Sequence, residues 1–361
     1  MKAFEPLLVA LLIGTTGSAL HTSAVSDPVT QLKSPASIPL PDEGEFPSLA
    51  GATLWLNSPP LTPAALRGKV VLVDFSTYTC INWLRTLSHV RAWAEKYKEQ
   101  GVVVINVQTP EFEFEKNLDN VRWASKQMGV VYPTAVDNDF AIWNAFNNHY
   151  WPALYIIDAK GRIRHHQFGE GDYEQSEKII KQLLTEAGHK GIGPDLAVVH
   201  ESGAEVGADW STLKSGETYV GSDRADNFSS PGGLASGKSH VYSAPAQLKL
   251  NQWALVGEWT VGKQGTVSNR ANGRIVFRFH ARDLHLVMGP AEKGASVRFR
   301  VRIDGAPPGA AHGVDVDAQG NGTVTGQRLY QLIRQPAPIT DRQFEIEFLD
   351  PGAEAFVFTF G

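Results

Sequence analysis

The chain reads as two domains of different class: an α/β unit with a mixed central sheet covered by helices on both faces, then an all-β sandwich. Three observations carry this. Short β-branched apolar runs alternate with helix-period segments between residues 69 and 187, the apolar period changes to two in the later part, and a stretch rich in Gly, Pro, Ala and Ser at 190–216 lies between. A chain of 361 residues also exceeds what one core normally organises.

Taken in order, residues 1–24 hold a basic residue, a short apolar run from Leu7 to Ile13 and small residues at Ala19 and Ala24, the pattern of an export signal. Residues 25–45 are Ser- and Pro-rich without periodicity and read as an extended lead-in. The first domain is expected over 46–189. In it "KVVLVDF" and "GVVVINVQ" are strands of the kind buried on both faces. Between them Leu87, Val90, Ala94 and Tyr97 recur at helical spacing, with Gly101 placed to end the helix. "EFEKNLDNVRWASKQMG" predicts a second helix, "FAIWNAF" a short third, "YIIDAKGRIR" a hairpin, and "YEQSEKIIKQLLTEAG" a closing amphipathic helix. Residues 190–216 read as a linker. From 217 to 361, "RIVFRFHARDLHLVM", "RFRVRID" and "FEIEFLD" alternate polar and apolar, as half-buried antiparallel strands do, and predict a jelly-roll-like sandwich.

Composition excludes several classes. The net charge is -5 and no Lys/Arg block appears, so nucleic acid is not an expected partner. After signal cleavage no segment is long and apolar enough to span a bilayer, which places the mature chain in the periplasm or outside the cell. There is one cysteine, Cys80, so no internal disulfide can form. No cofactor is implied.

Cys80 falls in "FSTYTCINWLRT", after a buried strand and at the first turn of a helix. Unpaired N–H groups and the positive end of the helix dipole favour a thiolate there. The bland alternative is a small, inert core cysteine.

"LRGKVVLVDFSTYTCINWLRTLSHV", "TPEFEFEKNLDNV", "YPTAVDND", "NHYWPALYIIDAKGRIRHHQFGEGDYE" and "FLDPGAEAFVFTFG" together resemble the extracytoplasmic part of the DipZ family, over about residues 40–361. The resemblance implies a thioredoxin-like redoxin fold related to the cytochrome c maturation thioredoxins, followed by a sandwich similar to a carbohydrate-binding module. The membrane-embedded half of full-length DipZ proteins has no counterpart in these residues. By the same resemblance Cys80 matches the attacking thiol, Pro152 after Trp151 matches the cis-proline that faces it, and Glu111 matches a nearby acid. Tyr78, Asn82, Trp83 and Trp151 are the expected substrate contacts.

The departures are specific. Trp83 stands where the family has its second cysteine, Ser76 where it has tryptophan, Ser88 where it has proline, and Gln108 where it has histidine. A thiolate at Cys80 can attack a disulfide, but no second thiol resolves the product, so turnover would need an outside reductant.

Weaker signals stand beside plain ones. His165 and His166 are neighbours on a strand and point to opposite faces, which does not suit a shared metal. Thr77, three residues before Cys80, matches part of a peroxidatic loop without its proline. Glu111 is either a proton shuttle or a solvated loop acid. Trp253, Trp259 and Tyr330 are either a glycan-stacking platform or sandwich core. Three functions remain open: a monothiol acting on protein thiols or disulfides, a non-catalytic module binding protein or glycan, and a single-cysteine thiol peroxidase.

Overall fold

The computed structural model describes residues 39–361, of which Leu40–Gly361 form one compact unit. The expected signal at 1–24 and most of the lead-in at 25–45 lie outside the described residues. The first half contains β1 (Leu54–Leu56), β2 (Val70–Ser76), α1 (Ile81–Tyr97), β3 (Val102–Gln108), α2 (Leu118–Gln127), β4 (Thr134–Val136), α3 (Ala141–Ala145), β5 (Ala153–Ile157), β6 (Ile163–Phe168) and α4 (Tyr173–Glu186). Its sheet runs β1-β4-β3-β2-β5-β6, with β4, β3 and β2 parallel and the other three pairings antiparallel.

Strand alternation on β2 sets up the layers. Val70 and Leu72 face α1 and α4, whereas Val71, Val73 and Phe75 face Ile142 and Trp143 of α3 and Phe146 just after it. Asp74 shares the α1 side with Leu72 by the same period. Helix α1 presents Leu84, Leu87, Val90, Trp93 and Tyr97 to that side and closes through a short 3₁₀ turn at Gly101, whose φ of 91° suits a residue without a side chain.

The second half contains β7 (Thr218–Tyr219), β8 (Ser239–Tyr242), β9 (Trp253–Val261), β10 (Thr266–Ser268), β11 (Gly273–Phe279), β12 (Asp283–Pro290), β13 (Val297–Ile303), β14 (Asn321–Val324), β15 (Arg328–Arg334), β16 (Arg342–Phe348) and β17 (Ala353–Phe360). Two antiparallel layers result, β14-β13-β16-β11-β9 and β10-β17-β12-β15, and β9 belongs to both. It pairs with β11 up to Val256 and with β10 from Trp259, turning between them at Gly257, where φ is 95°. The core between the layers is apolar and aromatic, with Trp253, Trp259 and Tyr330 fully buried in it.

The two halves share a core. Phe356 and Val357 of β17, Val287 of β12 and Leu329 of β15 belong to the same apolar cluster as α1 and α2. Phe356 packs 5.3 Å from Phe112 and 4.6 Å from Phe114, ring centre to ring centre. Arg85 of α1 is buried between the halves, donating to the Phe360 carbonyl at 3.1 Å and to Glu170 at 2.9 Å. Residues 190–216, assigned to a linker from composition, are pinned to both halves. Lys181 and Lys96 donate to the carbonyls of Pro194 and Asp195, Arg91 pairs with Glu205, and Arg334 and Arg282 of the sandwich donate to the carbonyls of Gly203 and Gly207.

Candidate functional site

Cys80 caps the N-terminus of α1 in extended conformation (φ -73°, ψ 118°), because its carbonyl accepts the first helical bond, from Leu84 N–H at 3.0 Å. The residue as a whole is half-buried, and its sulfur lies 3.9 Å from the Trp151 carbonyl, across from the cis Trp151–Pro152 bond. Cys80, Pro152 and Trp151 are thus brought together. Burial pushes the thiol up; the amides of Trp83 and Asn82 oppose this, while the carboxylates of Glu111 and Glu217 add to it. The dipole effect expected to favour a thiolate is therefore outweighed by desolvation and negative charge.

Trp83 is one turn into α1 and is 1% exposed, with its indole N–H donating to Asp74 Oδ2 at 2.9 Å. Burial raises the Asp74 carboxyl to about 7, against the lowering effect of that hydrogen bond. Tyr78 is likewise buried, edge-on to Phe114. Trp83 and Tyr78 are therefore corrected from substrate contacts to core residues, since both side chains are consumed by packing under the helix. Asn82 is half-buried at the first turn, and Trp151 is half-buried against Trp143, 4.3 Å away.

Glu111 is neither a free shuttle nor a solvated acid. Its Oε1 accepts from Tyr219 O–H at 2.6 Å and from Arg224 Nη1 at 2.9 Å, both from the second half, and the Arg224 guanidinium sits 3.5 Å over the Tyr219 ring. Beneath it Glu115 is buried and accepts from Thr79 O–H at 2.6 Å and from the amides of Glu111 and Phe112 at 2.7 and 2.9 Å. Burial raises Glu115 to about 7, with the Glu111 charge contributing. One carboxyl thereby ties the Cys80 loop to the Glu111 loop.

Asp74, Glu115, Tyr219 and Arg224 were not reached by sequence reasoning. Asp74 left a usable signal, being the one charge in an apolar strand; the others depend on contacts between distant segments. Ser76 and Gln108 are register partners on β2 and β3, and their side chains lie 3.3 Å apart. Ser88 turns its hydroxyl back to the Arg85 carbonyl of its own helix.

The remaining candidates do not build second sites. Thr77 is fully buried, and Arg85, the arginine of α1 nearest in sequence, is engaged by Glu170 and Phe360. His166 pairs with Glu43, and among the described residues no group of three or more His, Cys, Asp or Glu could hold a metal ion. Trp253, Trp259 and Tyr330 are each 0% exposed, so the platform reading for them is corrected to core. No helix among the described residues is long and apolar enough to cross a membrane.

Cys80 at the strand-to-helix start and Pro152 just before β5 thus face each other at one end of the central sheet. Residues 68–163 match the family described as Thioredoxin-like, and residues 215–361 match the one described as Thioredoxin like C-terminal domain. Protein DipZ of Mycobacterium bovis is 40% identical over 251 residues, covering 68% of this chain and 35% of that protein. The chain belongs to the thioredoxin-like proteins, as a homologue of DipZ. It spans about a third of the length of the curated DipZ relatives. Thiol-disulfide oxidoreductase YkuV of Bacillus subtilis is 29% identical over 141 residues, 39% of this chain and 95% of that protein. A thioredoxin-like protein solved in its oxidized form shares 29% identity, covering 40% of this chain and 96% of its own, with a TM-score of 0.37. This DipZ homologue carries its one cysteine at the start of α1 and a buried tryptophan three residues on.

Proposed function

We propose that this chain is an extracytoplasmic thioredoxin-like protein that captures protein disulfides through Cys80 alone. The observation that carries the reading is the pairing of an intact attack position, Cys80 against the Trp151 carbonyl and Pro152, with a buried Trp83 in the place of a resolving thiol. Cys80 loses its proton to solvent, its sulfur bonds to one sulfur of the partner disulfide, and the other sulfur departs as a thiolate that takes up a proton. The product is a mixed disulfide with no internal thiol to open it, so release depends on an outside thiol of low molecular weight or protein origin. Affinity capture under non-reducing conditions tests this: disulfide-linked partners should be recovered with the wild type and lost with Cys80→Ser. Equal recovery from both would overturn it.

A second reading is favoured by one observation. Burial and the carboxylates of Glu111 and Glu217 hold the thiol in its protonated form, which suits a module that binds its partner without covalent chemistry. Glycan recognition by the sandwich belongs to this reading, on surfaces other than Trp253, Trp259 and Tyr330.

A further inference from the structure

Trp151 connects the thiol to a cleft that both halves build. Its carbonyl lies at the Cys80 sulfur, while the residue lines a cavity of about 280 Å³ with Phe140 on one side and Tyr219, Arg224, Lys263 and Gln264 of the sandwich on the other. The sandwich wall is fixed in place. Gln264 Oε1 accepts from the Glu113 amide at 2.9 Å, Arg224 and Tyr219 hold Glu111, and the Phe112, Phe114 and Phe356 rings interlock behind them. The cleft therefore keeps its width without a hinge between the halves.

We propose that the second domain forms one wall of the substrate cleft, and that the disulfide reaching Cys80 is carried on an extended polypeptide segment lying between Trp151 and Lys263. Two observations select that occupant. The backbone N–H of Trp151 has no backbone partner among the described residues, and its carbonyl meets only the Cys80 sulfur, so a donor stands free beside the sulfur for an extended chain to pair with. The cavity is below the ~300–1,000 Å³ of pockets that enclose a compact small ligand, a size that suits one or two side chains of a passing segment instead. Lys263 is exposed at its sandwich edge and has no ion-pair partner among the described residues, which leaves room for chain to pass over it.

The inference rests on the capture reading, and the experiment separates the two. The full chain is reacted with an unstructured cysteine peptide joined through a disulfide to thionitrobenzoate, and separately with 2-mercaptoethanol joined to the same leaving group. The released thionitrobenzoate gives both rates. In the wild type the peptide should react about tenfold faster or more, a gain of about 1.4 kcal/mol from the cleft. Lys263→Trp, which fills the cleft, should bring the ratio of the two rates toward one, while Lys238→Trp, an exposed site of the same domain outside the cleft, should leave the ratio as in the wild type. A wild-type ratio near one, or a ratio that Lys263→Trp leaves unchanged, overturns the cleft. Absence of reaction with either probe overturns the capture reading and the cleft with it.

Discussion

The Trp83 indole N–H donates to Asp74 Oδ2 at 2.9 Å beneath the start of α1. The indole three residues beyond Cys80 thus engages a buried carboxyl, and the start of α1 rests on a packed, hydrogen-bonded pair. The other Asp74 oxygen, Oδ1, has no partner among the described residues, which is why burial raises this group to about 7.

That shift makes a signed prediction. Asp74 binds its proton more tightly in the folded chain than at the ordinary value of 3.8, so its contribution to stability is complete below about 4 and falls as pH rises toward about 7. Asp74→Asn removes this loss. Its stability relative to wild type should improve by on the order of 2–4 kcal/mol between about pH 4 and pH 8, measured by denaturant unfolding at each pH. A difference independent of pH would show that Asp74 is already ionised at the acid end.

Wild-type protein should fail in multiple-turnover insulin reduction fed by a thioredoxin reductase system, because Trp83 carries no thiol. Trp83→Cys should gain slow dithiol cycling while losing about 3–5 kcal/mol of stability, the usual cost of truncating a buried tryptophan. Wild-type turnover would sink the first statement. A folded Trp83→Cys variant without activity would trace the block to Ser76 and Ser88 as well.

Alkylation of Cys80 by iodoacetamide should be slower at neutral pH than that of an exposed free cysteine, and should rise with each step into the alkaline range without levelling near the ordinary thiol value of about 8.5. Glu217→Gln should speed it at neutral pH by removing one of the charges that oppose the thiolate. A plateau at neutral pH would mean that the amides of Asn82 and Trp83 prevail after all.

Phe356→Ala should cost about 3–5 kcal/mol and lower the stability of both halves together, since its ring closes the aromatic cluster of Phe112 and Phe114. Calorimetry should show one transition in the wild type, and proteases should spare residues 190–216. Two separate transitions, or early cleavage in that segment, would contradict a shared core.

The elements of both halves could be read from sequence because their signals are local: β-branched runs for the buried strands, the helical spacing of Leu87, Val90, Ala94 and Tyr97, and alternation in the sandwich. The three-residue β1 lacked enough length for any period, and α2 begins five residues later than the helical stretch implied because Glu113–Lys116 forms a 3₁₀ turn and Asn117 caps the helix. At the site, the thiol and the proline facing it came from a motif. The occupation of Glu111 by Tyr219 and Arg224, and of Trp83 by Asp74, came only from the fold, because periodicity reports which face a residue takes and not which distant group meets it there.

Arg85 sets a condition on the order in which the molecule can be finished. Its guanidinium is buried five residues beyond Cys80, yet one of its acceptors, the Phe360 carbonyl, is 275 residues further along the chain. During synthesis the first half emerges with that charge still open to water and with Phe112 and Phe114 uncovered, and it stays so until β17 has left the ribosome. A truncation before β17 is therefore expected to leave Phe112 and Phe114 uncovered and to be more prone to aggregation than the full chain.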